Sequence, residues 1–118
     1  MKLLIAGSRN IPNHSVVWDD LIKRVLGLYG TDDIEIVSGM ARGADTIAID
    51  FAKHFNIEYI GFPANWDQHG KSAGYIRNKE MSEYADELIA YWDGKSNGTK
   101  NMIDLMAIAK KPTTIIYV

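Results

Sequence analysis

The chain has no cysteine, which excludes disulfides and thiolate chemistry and is compatible with the cytoplasm, where the protein is expected to reside. It has no apolar run long enough for a membrane span, so no membrane partner is expected. Its start, Met1 to Gly7, is too short for a signal-peptide core and reads instead as a buried strand. It has no repeat, no low-complexity tract and no basic excess. A net charge of −2 and a pI near 5.9 argue against non-specific coating of nucleic acid, which is not an expected partner. The three histidines, His14, His54 and His69, have no ligand spacing with the acids, and no serine, histidine and acid arrangement stands out. Neither a metal nor a cofactor is expected.

What is present fits one soluble globular domain spanning residues 1–118, with 47% apolar and 24% charged residues. Short apolar runs at 3–6, 34–37, 57–62, 87–92 and 113–118 read as strands. Helical spacing lies between them. Val17, Leu21, Val25 and Leu28 recur after a cap at Asn13 or Ser15, and Gly30 stops that helix. Ala44, Ile47, Ala48, Phe51, Ala52 and Phe55 form the clearest stripe. Ala73 to Ala85 gives a less regular third helix, and Met102 to Lys110 a fourth, ended by Pro112. A long polar loop is expected over 63–74 and a glycine-rich loop over 93–99.

This strict alternation predicts an α/β fold, a Rossmann-like three-layer αβα sandwich with a five-stranded parallel sheet. Every loop leaving a strand's C-terminal end must then share one edge, where ligands bind at the point of strand-order reversal. One composite site is expected there.

Its centre is Val37-Ser38-Gly39-Met40-Ala41-Arg42-Gly43-Ala44-Asp45. A strand enters, two glycines break it, and a helix begins at Ala44. Glycine allows close approach to the backbone, helix N–H groups and the dipole favour an anion, and Arg42 adds a planar cation. Three of the four arginines, Arg9, Arg42 and Arg77, fall in or beside glycine-containing loops. Arg77-Asn78 stands near a helix start, where arginine opposes the dipole by about 0.3–1 kcal/mol. A charge-assisted bond to an anion contributes about 1.5–3 and outweighs it. Gly7-Ser8-Arg9 lacks the later glycines of G-x-G-x-x-G, which argues against NAD or FAD. Gly70-Lys71-Ser72 lacks the earlier glycine of a P-loop, where Asn65 stands; Lys71 remains a candidate point charge. Trp66, in a polar stretch, suits either a lid residue packed on the domain surface or a stacking wall for a nucleobase. Asp45 complements the helix dipole or binds a ribose hydroxyl.

Gly7-Ser8-Arg9, Ser38 to Asp45, Pro63-Ala64-Asn65-Trp66, Gly70 to Gly74, Arg77 to Met81 and Gly98-Thr99 occur in order. Together they resemble the YspA/cpYpsA-related branch of the SLOG superfamily across essentially the whole chain. The resemblance implies a Rossmann-like fold that binds a nucleotide or nucleotide-derived phosphorylated small molecule, as a sensor, carrier or sequestering protein. It implies ligand contacts from Gly7, Ser8, Arg9, Ser38, Gly39, Arg42, Gly43, Ala44, Asp45, Trp66, Lys71, Arg77, Asn78, Gly94, Gly98 and Thr99. It also implies pairing through helices, so a homodimer is the default expectation.

Two related groups imply other activities. The LOG-type phosphoribohydrolases cleave the N-glycosidic bond of nucleotides and share an arginine four residues before a methionine, as in Arg77 and Met81. Their catalytic glutamate falls on Met102, which cannot act as acid or base. Such an activity would need Glu80, Asp45 or Asp104 in its place, with Arg77 orienting phosphate. The DprA-type DNA-processing proteins share the Ser-Gly-x-Ala-Arg-Gly-x-Asp loop and imply single-stranded DNA binding, ranked third on charge.

Overall fold

The computed structural model describes residues 1–118. Five strands, β1 (Lys2–Gly7), β2 (Glu35–Ser38), β3 (Glu58–Gly61), β4 (Glu87–Trp92) and β5 (Thr113–Tyr117), form one all-parallel sheet in the order β3-β2-β1-β4-β5. Five helices connect them: α1 (His14–Leu21), α2 (Ala44–His54), α3 (Trp66–His69), α4 (Ala73–Tyr84) and α5 (Asn97–Ile108). The expected Rossmann-like α/β fold is therefore present.

Strand pairing explains the apolar runs. In β1, Leu3 and Ile5 face a core built with Val17, Leu21, Ile47 and Phe51 from α1 and α2. Leu4 and Ala6 face the opposite core, with Met81 from α4 and Met102 and Met106 from α5. Successive strand residues point to opposite faces, so a strand covered by helices on both sides must be apolar throughout. The register places Ile5 beside Ile89 and Leu4 beside Val37, which keeps each core continuous across the sheet. The edge strand β3 is less buried, with Glu58 and Tyr59 exposed.

Three local expectations are corrected. The segment 63–74 is not a loop: Asn65 caps α3, its Oδ1 accepting from Gln68 N at 3.1 Å, and a 3-10 turn, Gly70–Ser72, leads into α4. The glycine-rich loop is shorter than expected, because α5 begins at Asn97 and takes Gly98 and Thr99 into its first turn. Leu28 is 73% exposed rather than part of the α1 stripe. A π-turn over Ile22–Leu26 follows α1, and its extra residue rotates Leu28 off the buried face. The other ends behave as read: Asn13 caps α1, and Gly30, at φ 76°, follows the terminated helix.

Candidate functional site

The chain turns from one side of β1 to the other between β3 and β4, so the reversal point lies beside the C-terminal end of β1. Three contiguous hollows open there. The first, of about 430 Å³, is lined by Arg9, Met40, Arg42, Pro63, Trp66 and Arg77, among others. The second, of about 340 Å³, lies on the α4–α5 side and includes Arg9, Trp66, Lys71, Tyr75, Arg77 and Gly98. A small floor of about 60 Å³ between them reaches Asp45, Asn78 and Thr99. Loops after β1, β2, β3 and β4 all contribute.

The arginines sit in different surroundings. Arg9 and Arg42 are exposed, whereas Arg77 is half-buried. None of the three is in an ion pair; only Arg24, away from the cleft, meets a carboxylate, Asp20 at 2.8 Å. Arg77 is held by neutral partners. Its Nη1 donates to the Gly39 carbonyl at 2.5 Å and to that of Phe62 at 3.4 Å, and its Nε donates to Asn78 Oδ1 at 3.0 Å. Burial pulls its pKa below the ordinary value, with nearby Asp45 opposing that shift. Asn78 in turn donates to Gly98 O at 3.2 Å and to Asn101 Oδ1 at 3.0 Å, locking α4 to the start of α5.

Asp45 lies in the first turn of α2 and is 7% exposed. Its Oδ2 accepts from Ala41 N at 3.2 Å, so the chain's own carboxylate already serves the turn before α2. Burial raises its pKa to about 6, against the lowering effects of that hydrogen bond and of Arg77 and Arg9. Free positive charge in the cleft therefore comes from guanidinium groups more than from the α2 terminus.

Glycines permit this geometry. A Cβ on Gly39 would stand 2.8 Å from Arg77 Nη1 and 2.9 Å from Asp45 Oδ2. Gly43, at φ 81°, packs against the backbone of Arg9, where a Cβ would lie 2.7 Å from the Arg9 Cα.

Several predicted ligand residues also hold the frame. Ser38 is fully buried; its hydroxyl donates to Asp45 O at 2.9 Å and accepts from Met40 N at 3.2 Å. Ser8 is also buried, its Oγ accepting from Asp93 N at 3.0 Å and tying the β1 loop to the β4 loop. Ala44 is buried against Gly7, whose absent Cβ would fall 2.7 Å from the Ala44 Cβ. Thr99 is buried with its Oγ1 3.2 Å from Ser96 Oγ, though it still edges the floor. Gly94, at φ 80°, turns the β4 loop outside all three hollows. The Asp93 carboxylate accepts from Ser96 N and Lys95 N, both at 2.8 Å, and these bonds hold its pKa down.

The sequence reading missed Met40, Tyr75 and Ser96. Met40 is 53% exposed, adopts φ 61° and lies over Gly61, where a Cβ would overlap its side chain. Tyr75 is 50% exposed one residue after Gly74. Met40 stands inside the Ser38–Asp45 motif but was passed over as apolar, and Tyr75 falls between the Gly70–Gly74 and Arg77–Met81 motifs; an apolar side chain beside a glycine was the available signal. Among the three carboxylates considered for hydrolysis, only Asp45 lines the cleft; Glu80 is exposed outside it, and Asp104 pairs with Lys100 at 2.8 Å. Met102 is buried beneath the floor.

Fold and cleft together define a Rossmann-like α/β protein with an arginine-lined hollow at the carboxyl edge of its sheet. The chain belongs to the YspA, cpYpsA-related SLOG family, whose profile matches residues 1–69. It is 38% identical over 107 residues to the Gene 61 protein of Mycobacterium phage D29, covering 85% of this chain and 83% of that one. In structure it is similar to DNA processing protein A from Helicobacter pylori, with a TM-score of 0.70 at 22% identity over 98% of this chain. The match spans 64% of that chain, whose single-stranded DNA binding mode has been described. At this identity the likeness establishes the shared fold. No helix is long and apolar enough to cross a membrane.

Proposed function

We propose that this protein binds a nucleotide or nucleotide-derived phosphorylated molecule in the cleft, acting as a sensor, carrier or sequestering protein. The observation that carries the reading is the convergence of Arg9, Arg42 and Arg77 on one hollow with no carboxylate paired to any of them. Three guanidiniums outside any ion pair, with only the buried Asp45 carboxyl near Arg77 and Arg9, favour an anion with several oxygens, as phosphate has. Half-exposed Trp66 beside them offers a flat face for a base. A hollow of about 430 Å³ falls in the range of small-molecule sites, roughly 300–1,000 Å³.

The test is titration calorimetry with a nucleotide panel, with mass spectrometry on the same mixtures. Arg42→Ala should reduce affinity at least tenfold, and unchanged affinity overturns the reading. A ligand recovered intact supports a sensor or carrier. Release of free base would support a nucleotide N-glycosidic hydrolase, with Arg77 orienting phosphate and Asp45, the carboxylate at the floor, as the acid or base.

A second reading, single-stranded DNA binding, is favoured by the fold shared with the Helicobacter pylori protein. Its support is the same cleft, because a DNA strand also presents phosphates beside bases. The mildly acidic overall charge weighs against a long binding track. Affinity that grows with oligonucleotide length in a gel-shift assay would favour DNA over a small ligand.

A further inference from the structure

We propose that the cleft takes two nucleoside groups joined through a bridging phosphate, one group in each of its two large lobes. This rests on the nucleotide-binding reading above and names the ligand class. The two lobes, of about 430 and 340 Å³, each fall in the size range of a small-molecule site, roughly 300–1,000 Å³, and share one wall.

Their arrangement assigns the parts. Arg9 and Arg77 line both lobes and therefore stand at the junction. Trp66 also borders both, and packs toward α4: a Cβ on Gly74 would lie 3.5 Å from Trp66 Cη2 and 3.8 Å from Arg77 Nη2. An indole and two guanidiniums at the partition suit a charged bridge flanked by flat groups. Each lobe then has its own outer wall. On the β2 side these are Met40, Pro63 and Arg42; on the α4 side they are Tyr75, Lys71 and Gly98. Tyr75 and Met40 are both about half exposed, at 50% and 53%, and so present surface a base can cover. Lys71 is exposed and in no ion pair, leaving its charge free for a second oxyanion.

The bridged dinucleoside could be a free dinucleotide or one step of a DNA strand, since both put phosphate between two bases. The experiment compares the four nucleoside monophosphates, the matching symmetrical dinucleoside diphosphates and a mixed-sequence single-stranded oligonucleotide by calorimetry. At least one dinucleoside diphosphate should bind tenfold or more tighter than its monophosphate. Tyr75→Ala should narrow that gap about tenfold while thermal unfolding stays within error, because loss of one stacking wall costs about that factor. An oligonucleotide that outbinds every dinucleoside diphosphate, with the same Tyr75 sensitivity, supports the bridged class and identifies DNA as its source. Equal affinity for a monophosphate and its dinucleoside, with no Tyr75 effect, overturns the two-lobe proposal and leaves nucleotide binding standing. Absence of binding by every compound overturns both.

Discussion

Arg77 and Gly39 are 38 residues apart in the chain, yet the guanidinium Nη1 of the first donates to the carbonyl oxygen of the second at 2.5 Å. The bond crosses from α4 to the loop after β2, so a cation from one helix lies over the turn that opens another. A side chain on residue 39 would occupy the same space.

Gly39→Ala therefore separates binding from folding. The new methyl would meet Arg77 Nη1 at 2.8 Å and the buried Asp45 Oδ2 at 2.9 Å, so the flexible guanidinium must move and the carboxylate must give with it. The stability cost should fall within the usual overpacking range, about 1–3 kcal/mol. Nucleotide affinity should fall tenfold or more. Urea denaturation and calorimetry on the same preparation check both outcomes; intact affinity would mean that Arg77 does not reach the ligand.

The buried Asp45 carboxyl makes stability depend on pH. Its pKa in the folded chain, about 6, lies above the ordinary value of 3.8, so the folded state binds a proton more tightly than the unfolded one. Stability from this group is fully present below about pH 4, is lost as pH rises through about 6, and changes little above 7. A shift of that size corresponds to about 2–3 kcal/mol. Asp45→Asn removes the titration and keeps an amide oxygen for Ala41 N. The variant should exceed the parent in stability at pH 8 by up to that amount, with the advantage shrinking toward pH 4.5. Denaturant midpoints at the two pH values measure it, and a difference independent of pH would refute it.

The parts of the fold that could be read from sequence are those where burial dictates a pattern. In the stripe, Ala44, Ile47, Ala48, Phe51 and Ala52 are buried because α2 lies across the sheet and its inner face must be apolar, whereas Phe55, just past the end of α2, is half-buried. α3 escaped notice because its four residues are too few to show a period, and its start depends on one capping side chain, Asn65. α5 begins earlier than its apolar spacing suggests because Asp93 and Ser96 organise the turn before it. The edge that gathers the site followed from the alternation of strands and helices. Which residues meet at that edge did not. Tyr75 and Arg42 border the same cleft only because β3 and β4 lie on opposite sides of β1, and strand order leaves no mark on local sequence.

Ser8 tests that distinction. Its position in a glycine loop made it a candidate for holding phosphate, yet in the structure the residue is 1% exposed and its hydroxyl accepts from Asp93 N at 3.0 Å. That bond joins the loops after β1 and β4, the two strands that meet at the reversal point. A hydroxyl engaged this way stabilises the frame, and its removal should cost about 1–3 kcal/mol, the usual range for a buried hydrogen bond with one partner left unpaired. Ser8→Ala should thus lower the denaturation midpoint while nucleotide affinity, measured well below that midpoint, changes less than threefold. Arg9→Ala, one residue further on, should do the reverse: Arg9 is exposed, has no ion pair and lines both lobes, so affinity falls and stability holds. If Ser8→Ala instead abolished binding with stability unchanged, the hydroxyl would have to turn from Asp93 toward the ligand, and the β1 loop would rearrange on binding.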